Sequence, residues 1–146
     1  MLRKPKDFQT EGSKVFYAAP ASREAIKGWI GIAYGKVADS QRTENSNSTR
    51  LGAAYDAVFN LSLAVVNKDG WRTTSANGHH AQALEAAASY AGVTQAEFDR
   101  LDAIKDLRND QYRGIEPSDN DVKAALDVME RMVPALIALL KDYQKG

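Results

Sequence analysis

The run Arg108-Asn109-Asp110-Gln111-Tyr112-Arg113-Gly114 gathers two guanidinium groups, two carboxamides, a carboxylate and a phenol in one short stretch. A guanidinium keeps its charge at any working pH and presents a planar fork of donors, so it suits phosphate or carboxylate recognition. On a helical wheel Phe98, Leu101 and Ile104 define the inner face of the helix that leads into this run, and Arg108 and Tyr112 fall in the same arc. An inward arginine needs a carboxylate, phosphate or carbonyl partner, or else it lines a cleft or a subunit boundary. An ordinary ion pair within the chain meets that need as well as a ligand does. Arg108 is therefore the leading candidate for a functional side chain, with Asn109 and Tyr112 beside it in the same run.

His79 and His80 open another helix, and together with Arg113 of the run above they are candidate substrate-binding residues. On the wheel His80 lies with Leu84, Ala87 and Ala91 while His79 points to one side, so the two rings are expected to diverge. An imidazole with its ordinary pKa of about 6.5 is suited to acid–base work. The alternatives are packing, or satisfying free amides at the helix start. With no cysteine and no third histidine, a metal site would need carboxylates to complete it, and none is expected. Nor is a cofactor: the chain has neither the glycine fingerprint of a dinucleotide fold nor a Gly-x-x-x-x-Gly-Lys-Ser/Thr loop. Ser62 lacks a nucleophile's sequence context and reads as a packing residue. Trp29, Trp71, Tyr55 and Tyr112 could stack on bases, although aromatics at helical spacing more often build a core. Asp102, Asp106 and Asp110 fall on the outer, solvated side.

These side chains must be positioned by helices. Ser22 caps a first helix to about Ser40, with Ile26, Trp29, Ile30, Ala33 and Val37 on one face. Gly28, Gly31 and Gly35 interrupt it at a cost of about 1 kcal/mol each relative to alanine, which predicts close approach by a neighbour's backbone. A second helix, to Lys68, carries Leu51, Tyr55, Val58, Leu61 and Val65 on its apolar face and Asp56, Asn60 and Asn67 opposite. Trp71 to Asn77 form a linker, and a third helix runs from about Gly78 to Ala91. Thr94 and Glu97 form a capping box that starts the fourth helix, which runs to about Tyr112. Ser118 and Asp121 start the last, which reaches Tyr143 with a kink predicted at Pro134. No strand-like alternation is evident. The expectation is an all-α, five-helix up-and-down bundle over residues 22–146, with a short N-terminal arm over residues 1–21 that packs on it.

Composition bounds the function. At 146 residues with balanced charge, the chain fits one domain and has no global field to draw it onto nucleic acid or an anionic membrane. Any RNA contact must be local. The absence of cysteine excludes disulfides. No run approaches the roughly 20 apolar residues of a membrane span, and no signal peptide is evident, so a cytoplasmic location is expected.

Three segments in this order, Arg50-Leu-Gly-Ala-Ala-Tyr-Asp-Ala-Val, then Gly70-Trp71-Arg72 followed by Gly78-His79-His80, then Leu107-Arg108-Asn109, resemble the HEPN (higher eukaryotes and prokaryotes nucleotide-binding) family over about residues 22–143. The resemblance implies a helical bundle, frequently a homodimer, of the kind found in toxin–antitoxin and phage-defence systems. Partners it implies are RNA or a nucleotide and a nucleotidyltransferase-type antitoxin. Some members are metal-independent ribonucleases, in which an arginine and a polar residue precede a histidine by a few positions. Arg108 and Asn109 match the first half and, with Tyr112, are the candidate catalytic residues that the resemblance implies. Arg113, Gly114 and Ile115 stand where the histidine is expected, so the nuclease motif is degenerate and Tyr112 is the nearest replacement in sequence. The resemblance therefore implies a binding module, with a dimeric ribonuclease toxin and a purely structural dimer as alternatives.

Overall fold

The structure, a computed structural model, describes residues 1–144. Residues 145 and 146, the end of the expected bundle segment, lie outside the described residues. The chain forms a predominantly α-helical bundle. In chain order its elements are α1 (Pro5–Thr10), β1 (Phe16–Ala18), α2 (Arg23–Gln41), α3 (Asn47–Lys68), β2 (Trp71–Thr73), α4 (His79–Ala91), α5 (Gln95–Asp110) and α6 (Asp119–Ala138). Helical turns of the 3-10 type follow α5 at Gln111–Arg113 and α6 at Lys141–Tyr143.

Helix starts are written in the local chemistry. The Ser22 hydroxyl accepts from the Ala25 amide at 3.2 Å, and the Thr94 and Ser118 boxes both close, with Glu97 and Asp121 reaching back to the capping amides at 2.9 Å. Two long helices end differently from the expectation. After Asp110 the last turn of α5 tightens, and α6, which runs through Pro134, stops at Ala138 rather than reaching Tyr143.

Helix α3 is the axis of the molecule. Its apolar stripe of Leu51, Ala54, Tyr55, Val58, Leu61 and Val65 is buried against Ile26 and Ile30 of α2, Leu84 of α4, Leu101 and Ile104 of α5, and Met129, Met132 and Leu136 of α6. Ser62, wholly buried, returns its hydroxyl to the Val58 carbonyl at 2.8 Å and is a packing residue. The α2–α3 pair is antiparallel: Ser22 is bonded to Asn67, Lys36 is near Asp56 and Arg50 reaches the Ser40 carbonyl.

Four sequence expectations need correction. The segments Phe16–Ala18 and Trp71–Thr73 pair as a short antiparallel ladder, which three-residue strands cannot announce by alternation. The arm is thus structured, with α1 and β1 sealing a second apolar cluster of Phe8, Val15 and Phe16 against Val66 and Ala86. Asn67 is fully buried rather than outward, because the arm and the β1–β2 ladder cover that end of α3. Gly28, Gly31 and Gly35 have no neighbour within 4 Å of where a Cβ would stand, so they lie on an open face of α2. Finally, the segment Trp71–Gly78 returns along α3, so α4 begins with His80 beside Tyr55 and ends with the Tyr90 hydroxyl on Asp69. Helices α3 and α4 therefore run in the same sense, which breaks strict up-and-down alternation. Gly78, at φ +84, makes the left-handed turn that launches α4.

Asn67 is what ties these pieces together. Its carboxamide oxygen accepts from the Ser22 amide at 2.9 Å, and its nitrogen donates to the Pro20 and Trp71 carbonyls at 3.3 Å. Replacing it by alanine leaves buried backbone groups without partners, at about 1–3 kcal/mol. Urea unfolding of Asn67→Ala is expected to show a loss of about 2 kcal/mol. A loss under about 0.5 kcal/mol, the range of an indifferent surface change, would remove this role.

Candidate functional site

The middle of α3, the start of α4 and the end of α5 converge on one cluster. Tyr55, 1% exposed, sends its hydroxyl to His80 Nδ1 at 2.9 Å. Phe59, one turn along α3, stacks on the His80 ring with centroids 4.1 Å apart and planes 13° from parallel. The Arg108 guanidinium lies over the Tyr55 ring at 5.0 Å, a cation–π position. Its Nε is 3.9 Å from Asp56 Oδ1, and the other carboxylate oxygen is 3.9 Å from Lys36 Nζ.

The two ion pairs are long. A direct N–H···O bond spans about 2.7–3.2 Å, so neither cation is hydrogen-bonded to Asp56. Among the described residues neither Arg108 nor Lys36 donates a hydrogen bond to the protein, although the Arg108 side chain is only 29% exposed. Those donors face an open, partly dry edge. Among the described residues every buried side-chain polar atom is paired, so the unused donors sit at this edge and not inside.

Proximity sets the ionisation. Burial, the neighbouring His79, and then Arg108 and Lys105 pull the His80 imidazole down to about 4, so it is neutral at neutral pH. Burial raises the Tyr55 phenol, with Arg108 opposing, and the hydroxyl keeps its proton. Burial also raises the Asp56 carboxyl, against the pull of Arg108 and Lys36.

The expected site residues fare unequally. Arg108 faces a defined carboxylate as its inward position requires, and His80 joins it. His79 does not diverge from His80: their rings meet edge to face at 4.5 Å, and His79 Nδ1 bonds the Ala76 carbonyl at 3.1 Å. Tyr112 is 83% exposed and off the inner face, because the 3-10 turn after Asp110 changes the residues per turn and breaks the helical register. Asn109 is exposed, and Arg113 is exposed and paired with Asp110 at 2.6 Å. Phe59 and Lys36 carry no motif of their own, and Asp56 is legible in the sequence as the polar side of an amphipathic helix and as part of the segment from Arg50 to Val58, with no role attached to it.

A depression of about 460 Å³ lies between α5 and α6 over Ile104, Leu107, Val128 and Met132 and includes neither Arg108 nor either histidine. At its rim Glu97 is held down to about 2 by the Thr94 amide and by Arg131, which makes it a helix cap and a strut. Among the described residues no group of three or more His, Asp or Glu side chains is placed to hold a metal ion, and no helix is long and apolar enough to cross a membrane. Compared with known proteins, the chain matches no family model, no curated protein and no solved structure.

The depressed imidazole makes stability depend on pH. Between its unfolded value of 6.5 and its folded value of about 4, the unfolded chain binds a proton that the folded chain refuses. That contribution is present above pH 6.5 and is lost as pH falls toward 4. Asp56 acts oppositely: its contribution is present below its unfolded value of 3.8 and is lost as pH rises through its folded value. Comparing wild type with His80→Gln isolates the histidine. Urea unfolding at pH 7 and near pH 4 is expected to show a smaller acid loss in the variant. Equal losses would contradict the assigned environment.

Proposed function

We propose that this chain is a HEPN-like module that binds single-stranded RNA through the Arg108 edge and does not cut it. The observation that carries the reading is the Arg108 guanidinium, seated on the Tyr55 ring, short of direct contact with Asp56 and beside Lys36. A phosphate suits such donors, and the stacked Phe59–His80 pair next to them offers a face to a base. Toxin–antitoxin or phage-defence systems, with a nucleotidyltransferase-type antitoxin as protein partner, are the setting the sequence resemblance implies.

One observation favours the ribonuclease alternative. The histidine missing after Arg108 in sequence has a counterpart in space, since His80 and Arg108 share the Tyr55 side chain. Its ionisation favours binding instead: an imidazole at about 4 is a weak base at neutral pH and holds no proton to give as an acid. A purely structural role for Arg108 fits poorly with a partly exposed pair at 3.9 Å, since such pairs contribute about 0–1 kcal/mol.

Fluorescence anisotropy with a labelled single-stranded RNA tests the reading. Arg108→Ala is expected to weaken binding about tenfold or more, about 1.4 kcal/mol, while its thermal midpoint stays close to that of wild type. Wild type that fails to bind, or a variant that binds equally, overturns the proposal. The RNA is expected to stay intact in EDTA. Metal-independent cleavage that is lost in both Arg108→Ala and His80→Gln would put the ribonuclease in its place.

A further inference from the structure

The carboxylate of Asp56 is the one group of the cluster that a bare anion site would not contain. It sits 3.9 Å from both Arg108 Nε and Lys36 Nζ, on the half-buried face of α3, with its side chain 30% exposed. Among the described residues no protein donor hydrogen-bonds to its carboxylate oxygens; the side-chain bond that reaches this residue goes from Asn60 Nδ2 to its backbone carbonyl. A carboxylate that served only to neutralise the two cations would gain most by closing onto one of them. This one is held between them with its acceptor sites open.

A ligand that satisfies all three groups must bring an anion for the cations and, beside it, a neutral hydroxyl to donate to the carboxylate. Free phosphate meets the cations but repels Asp56. A deoxyribose phosphate offers the anion and no donor beside it. A ribose phosphate carries both, because the 2′-hydroxyl stands on the carbon next to the one bearing the 3′-phosphate, and it is the group by which a protein distinguishes RNA from DNA. We propose that Asp56 reads the ribose 2′-hydroxyl of a single-stranded RNA whose adjacent phosphate is held by Arg108 and Lys36. This inference rests on the RNA-binding reading above and assigns its specificity. A site built to accept from a substrate hydroxyl rejects the analogue that lacks it far more strongly than a shape-based pocket does.

The experiment compares RNA, DNA and 2′-O-methyl RNA of one sequence, with wild type, Asp56→Ala and Asp56→Asn, by fluorescence anisotropy. Wild type is expected to prefer RNA over both analogues by about tenfold or more. In Asp56→Ala the preference is expected to fall to within about twofold, with DNA affinity unchanged or raised because a repelling charge has gone. Asp56→Asn has nearly the same shape and keeps one acceptor oxygen; it is expected to lie between, and it serves if the alanine variant does not fold. An undiminished preference in that variant overturns the inference. So do equal losses on RNA and DNA in Asp56→Ala, which would make the residue a holder of Arg108 alone. If wild type binds RNA and DNA equally and both depend on Arg108, the assignment of Asp56 falls while RNA binding stands. Absence of binding to any of the three removes both.

Discussion

A phenol hydroxyl buried in the middle of a helical bundle has to be given a partner, and the site is organised around how Tyr55 obtains one. Its ring belongs to the apolar stripe of α3 and is almost wholly covered, yet its hydroxyl emerges where α4 begins and meets His80. The bond couples two helices. It fixes the orientation of the imidazole, which lets Phe59 stack on the ring, and it leaves the Tyr55 face free to carry the Arg108 guanidinium from a third helix. An unpaired hydroxyl there would cost about 1–3 kcal/mol, so the arrangement is held by the same energetics that hold the core.

That bond depends on where α4 starts. The chain leaves α3 at Lys68, pairs Trp71–Thr73 with the arm strand Phe16–Ala18, and travels back along α3 before turning at Gly78. Without the return, His79 and His80 would stand at the far end of the bundle. The arm therefore does more than cover apolar surface. It provides the ladder for the return and, through Asn67, fastens both the entry to α2 and the exit from α3 to a buried carboxamide. Arg3 adds a brace, bonded to Glu85 of α4 at 2.8 Å and to Glu11 at 2.8 Å, and these carboxylates raise its already high pKa.

The charges around Tyr55 are arranged loosely and the neutral groups tightly. His80, Tyr55 and Phe59 lock into bonded and stacked geometry, whereas Arg108, Lys36 and Asp56 stand apart by about the width of a missing contact. A rigid neutral platform beside unused charged donors is what an anionic ligand with a flat ring would find preorganised. The same burial that stiffens the platform depresses the imidazole, so chemistry that needs a titrating histidine at neutral pH is disfavoured by the feature that makes the surface well formed.

The helices were legible in the sequence because their signals are local. Capping boxes at Thr94 and Ser118, glycines at the ends of α4, and apolar residues at helical spacing act through neighbours three or four positions away. The inward aim of Arg108 was legible for the same reason. Tyr112 was misplaced because the wheel assumes a constant 3.6 residues per turn, and the helix tightens two residues before it. What Arg108 faces was not legible, since Lys36, Asp56 and His80 lie on three other helices: His80 stands out by its residue type, but local pattern does not say that the three meet. The β1–β2 pairing and the burial of Asn67 were not legible for a related reason: the strand partners, and the Ser22 and Pro20 groups that Asn67 bonds, lie more than forty residues away in the chain. Local periodicity determined which segments are helices and which faces go inward. Only the long-range packing on α3, and the return of the chain before α4, decided that an arginine, a carboxylate and a neutral histidine would share one tyrosine.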